Sequence, residues 1–462
     1  MSSPPVYGSS FTSQSFASLP AYSARDRPST AGAVRELTEH TFEIKDKKKK
    51  AWATLKLKSN AKSPANLPTF LEGNKITGSV TLDLSSSEKI LGVRVLIRGQ
   101  IITGPQDKDR VYFLDTSTPL WLKGMANPRD SVSGASGSHY NGKLSGDYHW
   151  PFSISLPKEV TLSDPTGKQS LTYHLPQSFL ERTSRASVYY ELFVHIARST
   201  LRVDDKLQTM FIYVPAIRPD PPSRLRQLAY RQNGPIPGPD ADPEGWHTLR
   251  TVSVRGNVFN ARRVKIQCIV RIFPPRSFPL SHTRSQLSLA KPLSYTRGSV
   301  IPCSLTYLCD DSQALNLVCT PATTNICLHR EVSFQNAPVA AEYSVPRETQ
   351  VTDSILEITR AVWWPVYDGR GSSCRFDGEM HLPKSLKPTS NMSHFAVRYY
   401  VVMLPFQVTA FTAEAPPRLI LKQEVQIATM LPKGPKPRVY TPPTYEPEIG
   451  DNSFIPPARG YI

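Results

Sequence analysis

The sequence predicts an all-β protein: two tandem immunoglobulin-like β-sandwich domains with disordered tails at both ends. Three observations carry this. Apolar residues alternate with polar ones over short runs, the strand period, and turn residues separate those runs. No stretch shows a long helical period. And the pattern is written twice. In the first copy, Phe70, Gly73 and Ile76 open an alternating run through Val80, Leu82 and Leu84. A polar SSSEK link and a nearly continuous apolar run, Ile90 to Ile97, follow; the whole reads as a half-buried antiparallel hairpin. Tyr295, Gly298 and Ile301 repeat the opening spacing 225 residues later, followed by SVIPCSLTYL, a polar turn and ALNLVC. A second pair recurs in the same order: ISLPK with SVYYELFV, then MHLPK with AVRYYVVM.

In chain order, residues 1–46 are rich in Ser, Pro, Ala and Thr without period and read as a disordered tail. The run Lys45 to Lys50 reads as a solvated lead-in to the first strand, in preference to a nuclear signal or lipid patch. Residues 47–215 form the first sandwich, with strands at WATLKLK, the 67–99 segment, YHWPFSISLP, SVYYELFVHIAR and QTMFIYVP. Residues 123–147 are a Gly/Ser-rich loop within it. A Pro-rich linker spans 216–248, with room for one short helix over Ser223 to Arg231. The second sandwich spans 249–431. Its strand-like RRVKIQC breaks off into a Pro-containing stretch, 269–286, before LSLAKPLSY. That stretch reads either as a surface insertion or as an intron read through in frame. A further polar loop is expected near 337–353, and residues 432–462 form a second disordered tail.

Composition narrows the function. The chain of 462 residues carries a formal net charge of +17. The first 46 residues hold four basic against five acidic side chains and the last 31 hold four against three, so the folded body carries the surplus. A basic body suits an anionic partner such as a membrane surface. Nucleic acid is not expected, because no RNP signature, zinc finger or recognition helix accompanies the charge. No secretory signal or membrane-length apolar run is present, which places the chain in the cytoplasm. The six cysteines, Cys268, Cys303, Cys309, Cys319, Cys327 and Cys374, lack zinc-site spacing and read as buried strand thiols in a reducing compartment. Catalytic, cofactor and metal motifs are absent, and neither His195 nor His381 has a partner at motif spacing.

The strong motif is PPxY, found at Pro4-Pro5-Val6-Tyr7 and again at Pro442-Pro443-Thr444-Tyr445. Adjacent prolines favour the polyproline II helix that a WW domain's aromatic groove accepts, and the tyrosine fills a neighbouring slot. With 43 prolines and 19 tyrosines, chance supplies about 0.16 matches. Two occur, both in segments that read as tails. Leu19 to Tyr22 is a weaker relative.

Over roughly residues 50–431 the chain resembles fungal α-arrestins, the arrestin-related trafficking adaptors. In the first half the likeness rests on Phe70-x-x-Gly73-x-x-Ile76-x-Gly78-x-Val80 with ILGVRVLIRG, GDYHWPFSISLP and LPQSF…SVYYEL. In the second it rests on Tyr295-x-x-Gly298-x-x-Ile301-Pro302, FDGEMHLPKSLKPT and AVRYYVVM. The family's frequent Pro-Gly turn reads Glu72-Gly73 and Arg297-Gly298 here. The resemblance implies two arrestin-type sandwiches whose concave faces cradle cytosolic tails of membrane transporters or receptors. It further implies a non-enzymatic adaptor, without cofactor, that brings a WW-domain HECT ubiquitin ligase to such cargo at the plasma membrane or endosomes. The alternative is an endosomal sorting scaffold of the same fold acting without a ligase.

Overall fold

Strands form where one side chain in two is apolar and can turn inward. The computed structural model describes residues 36–106, 109–127, 139–163, 169–199, 202–249, 252–259, 262–268, 286–309, 311–335, 350–366, 373–392, 394–405, 408, 411–413 and 419–442. The described residues from Thr38 onward form one compact unit; of Met1–Leu37, only Glu36 and Leu37 are described.

The first half contains β1 (Thr38–Lys45), β2 (Ala51–Ser59), β3 (Thr69–Leu71), β4 (Lys75–Glu88), β5 (Ile90–Ile102) and β6 (Arg110–Leu122). It continues with β7 (Leu144–Ser155), β8 (Glu159–Ser163), β9 (Ser170–His174), β10 (Ser187–Arg198) and β11 (Asp205–Val214). Strands β1, β2, β4 and β7 make one sheet; β3, β11, β10, β5 and β6 make the other. Between the sheets lie the alternating residues Leu55, Leu57, Ile76, Val80 and Leu82 from one side and Val93, Val95, Ile97 and Tyr190 from the other, all essentially inaccessible.

The expected hairpin is corrected here. β4 pairs with β2 and β7, and β5 pairs with β10 and β6, so the two runs face each other across the core. Alternation identifies the face a strand buries; it does not identify the strand beside it. The tail boundary moves as well. Residues 38–45 are strand β1, whose inward positions hold only His40, Phe42 and Ile44 among charged neighbours, a pattern easily read as polar tail. The lysine run is the β1–β2 turn: the Asp46 carboxylate accepts the amides of Lys48 (2.8 Å) and Lys50 (2.9 Å).

The linker contains α1 (Arg224–Gln232), capped by Ser223, close to the helix the sequence allowed. The second half holds β12 (Trp246–Thr248), β13 (Val252–Val258), β14 (Arg262–Cys268), β15 (Gln286–Ala290), β16 (Ser294–Thr296) and β17 (Val300–Leu308). After these come α2 (Ser312–Val318), β18 (Ile326–Gln335), β19 (Gln350–Val366), β20 (Ser373–His381), β21 (Ser390–Asn391), β22 (Phe395–Met403), β23 (Phe411–Ala413) and β24 (Leu421–Ala428). Most of these strands join in the order β16-β24-β22-β18-β19-β20-β17-β14-β13-β23. The long strand β19 makes the sheet curl: its first part pairs with β18 and its residues 361–366 pair with β20. The run ALNLVC is helix α2, not a strand. Asp311 caps it by accepting the Ala314 amide (2.9 Å), and Ala314, Leu315 and Val318 bury one helical face.

The doubled sequence becomes doubled pairing. β3 runs parallel to β11 with Phe70 opposite Tyr213, and β16 runs parallel to β24 with Tyr295 opposite Ile427. β4–β7 answers to β17–β20, β5–β10 to β18–β22, and β10–β11 to β22–β24. The turn glycines agree too: Gly73 has φ +85° and Gly298 φ +77°, a backbone that L side chains resist. Among the described residues, no strand of one half pairs with a strand of the other.

The stretch 269–285 lies outside the described residues, as do residues 128–138 of the loop expected at 123–147 and 337–349 of the loop expected at 337–353; the ends of those expected loops are strand, since β7 begins at Leu144 and β19 at Gln350. Its flanks are informative. Gln267 pairs with Leu308 and Gln286 with Thr306, so Gln286 takes the place on β17 that residue 269 would hold in an unbroken strand.

Candidate functional site

Of the six expected WW-contact residues, Pro4, Pro5, Tyr7, Pro443 and Tyr445 lie outside the described residues. Pro442 is described, and its setting was not expected. Residues 429–442 run back along the body as a strap. At its start, the Thr429 hydroxyl donates to Pro215 C=O (2.6 Å), and the Thr429 and Met430 amides donate to Ile217 C=O (3.1 and 2.9 Å). Further on, the Arg438 guanidinium donates to the Asn233 side chain, and the Tyr440 ring stacks on Tyr230 of α1 with centroids 6.4 Å apart.

The strap ends on a buried carboxylate. Glu379, on β20, is 1% exposed. It accepts the Tyr440 amide (2.9 and 3.1 Å to its two oxygens), the Thr441 amide (3.0 Å) and the Thr441 hydroxyl (2.6 Å). Because that hydroxyl proton goes to Glu379, the 3.0 Å contact between Thr441 Oγ1 and His381 Nε2 has His381 as donor. Thr441 is buried and Pro442 is half-buried. The tail expected from residue 432 is therefore held to the body as far as Pro442. Helix α1, the floor of this seat, is itself pinned: buried Arg226 donates to Gly245 C=O (2.7 Å) and Lys291 C=O (2.8 Å) and lies over the Trp246 ring. Sequence reading missed the seat, because a glutamate on a strand gives no local sign that a segment sixty residues later will cover it.

A second polar cluster joins the two sandwiches. The segment between β9 and β10, which includes LPQSF, faces β18, β19 and the loop after β20. Arg330 grips Glu181 with both terminal nitrogens (2.9 and 2.5 Å), and its guanidinium lies over Phe179. Asp353 accepts the Ser184 hydroxyl (2.7 Å), the Arg185 amide (3.0 Å) and Arg185 Nε (3.0 Å). Lys387 Nζ reaches Ser178 C=O, and Arg297 reaches Gln177. Burial depresses the pKa of Lys387. Phe179 and Phe395 add an aromatic contact at 5.1 Å between ring centroids.

The remaining reactive groups have local partners. His195 Nε2 lies 2.9 Å from Asp204. Cys319 and Cys374 form a disulfide with Cα atoms 6.1 Å apart, correcting the reading of all six cysteines as free thiols. Strand register brings α2's C-terminus beside β20, a proximity that the spacing of 55 residues conceals. Cys303, Cys309 and Cys327 are buried and outside the disulfide. Cys327, His329 and Glu357 place their ligand atoms within 4.8 Å of one another. However, Glu357 is already held by Arg360 through two hydrogen bonds, and burial, with Glu357 adding to it, pushes the Cys327 thiol up to about 12. This trio is thus a protonated thiol and an imidazole whose pKa burial lowers, beside a closed ion pair.

No helix among the described residues is long and apolar enough to cross a membrane. Residues 63–218 match the family model described as arrestin (or S-antigen), N-terminal domain. That span runs from just before β3 to just past β11, so the match and the first sandwich coincide over most of their length. No curated protein matches the chain.

Proposed function

We propose that this arrestin-fold chain is a non-enzymatic trafficking adaptor that brings a WW-domain HECT ubiquitin ligase to the cytosolic tails of membrane transporters or receptors, promoting their ubiquitination and endocytosis. The observation that carries the reading is the pair of PPxY motifs, Pro4-Pro5-Val6-Tyr7 and Pro442-Pro443-Thr444-Tyr445, flanking an arrestin-type body. The body supports it by its construction. Two sandwiches joined through an ion-paired seam offer extended sheet surfaces for a cargo tail, while each motif lies beyond the strands at its own end of the chain. The adaptor works at the cytoplasmic face of the plasma membrane or endosome, where cargo tails are presented.

The test is affinity purification of the chain from its own cells, followed by mass spectrometry. A HECT ligase with WW domains should co-purify with the native sequence and be lost from the Tyr7→Ala/Tyr445→Ala double variant, which removes both aromatic anchors. A ligase retained by the double variant, or none at all with the native chain, overturns the reading.

A further inference from the structure

The strap and the second PPxY motif share residues. Thr441, locked on Glu379, immediately precedes Pro442, the first residue of the motif. The lock has a cause independent of any ligase. A carboxylate only 1% exposed needs hydrogen-bond donors, and the donors to the Glu379 side chain are the Tyr440 amide, the Thr441 amide and the Thr441 hydroxyl. His381 completes the closure by donating to the same hydroxyl oxygen. On the other side of the strap, Tyr440 lies on Tyr230 and Arg438 on Asn233. Partners on two elements, Glu379 and His381 on β20 and Tyr230 and Asn233 at the end of α1, thus hold Arg438, Tyr440 and Thr441.

A WW domain takes its paired prolines between aromatic side chains, in an extended polyproline II segment whose rings are free on both sides. Pro442 is half-buried against the body while Thr441 is on Glu379. A domain seated on Pro442 would meet the part of the body that half-covers it, next to a residue locked on Glu379.

We propose that Glu379 latches residues 438–442 onto the second sandwich and so withholds Pro442, the first residue of the Pro442-Pro443-Thr444-Tyr445 motif, from a WW domain until the strap lifts. This inference rests on the ligase-adaptor reading and adds its regulation: the C-terminal motif is conditional, and its availability is set by a buried carboxylate in the body. The observed affinity of the motif is then the intrinsic one reduced by the fraction of molecules with the strap lifted. A negative charge on Thr441 Oγ1 would oppose Glu379 directly. A phosphoryl group there, adding about two charges, would favour the lifted state.

The experiment compares one purified WW domain of a PPxY-binding HECT ligase against the full chain and against a synthetic peptide of residues 436–449. The chain carries Tyr7→Ala to silence the N-terminal motif. It is measured alone, with Glu379→Ala, and with Thr441→Glu, the last paired with a peptide bearing the same change. The latched chain should bind at least about tenfold more weakly than the peptide, and either substitution should bring the chain to within about threefold of its matching peptide. Trypsin cleavage after Arg438 should accelerate in both variants. Thr441→Glu lies in the strap and leaves the core untouched, so the comparison stands even if Glu379→Ala folds poorly. Equal affinities for the Tyr7→Ala chain and the peptide overturn the latch and leave the adaptor reading in place. A peptide that does not bind the WW domain overturns the adaptor reading and the gating with it.

Discussion

Two glutamates, Glu181 and Glu379, decide contacts between parts of the chain that are far apart in sequence, and they do so for one reason. An ionised carboxylate removed from water costs several kcal/mol unless partners replace its hydration. Glu379 finds them in the strap; Glu181 finds them in Arg330, whose side chain is 8% exposed against 21% for Glu181. Arg297 and Lys387 lie close by, so Glu181 is the group that keeps Arg330 from facing like charges alone. Glu181→Ala should therefore cost about 2–4 kcal/mol, somewhat below the roughly 3–5 kcal/mol for breaking a fully buried pair, because Glu181 keeps about a fifth of its side chain in water. Replacing both partners, Glu181→Leu with Arg330→Met, should recover most of that loss. Denaturant unfolding of the three variants checks it. A double variant no more stable than Glu181→Ala would show that the pair is not the source of the cost.

At the level of elements, alternation located most strands but not their neighbours. The runs at Ile76–Leu84 and Ile90–Ile97 were legible as strands because both bury one face. Their separation into opposite sheets was not, because pairing is set by the whole sandwich. Strand β1 and helix α2 were hidden for local reasons: β1 turns a histidine inward among charges, and α2 is a seven-residue helix between strands. The latch and the seam were illegible altogether, since each joins residues sixty to 170 positions apart. The break at 269 was legible, and register now sharpens it. Gln286 stands where residue 269 would stand on β17, so residues 269–285 can be removed without shifting a single downstream pairing. Joining Cys268 to Gln286 should give a chain that folds and unfolds at a midpoint no lower than that of the full sequence. Tryptic peptides of the native protein decide whether the segment exists in cells. A peptide running Ile266–Cys268 straight into Gln286–Arg297 identifies read-through, and any peptide from within 269–285 identifies a true insertion.

For the molecule as a whole, charge is the property not explained by folding. The surplus behind the net charge of +17 lies in the body, although many of its cations are spent on internal partners such as Glu181, Asp353 and Glu357. Others are uncommitted at the surface. The β1–β2 turn projects Lys47, Lys48 and Lys49, all exposed, while Lys50 is occupied by Asp83 (2.7 Å). An adaptor acting on membrane cargo works within a Debye length of anionic lipid, about 8 Å in physiological salt, where each basic side chain contributes roughly 1 kcal/mol. Several such side chains suffice for weak, reversible attachment that assists cargo binding without replacing it. The full chain should thus co-sediment with phosphatidylserine vesicles at low ionic strength and be released as salt shortens the Debye length toward about 3 Å at 1 M. Lys47→Glu with Lys48→Glu should weaken the attachment with no change in fold, because Asp46 holds this turn through backbone amides, not lysine side chains. Lys49 is best left in place, since its φ of 63° already strains the turn. Equal sedimentation with phosphatidylcholine vesicles, or binding indifferent to salt, would mean that the positive body serves some partner other than the membrane surface.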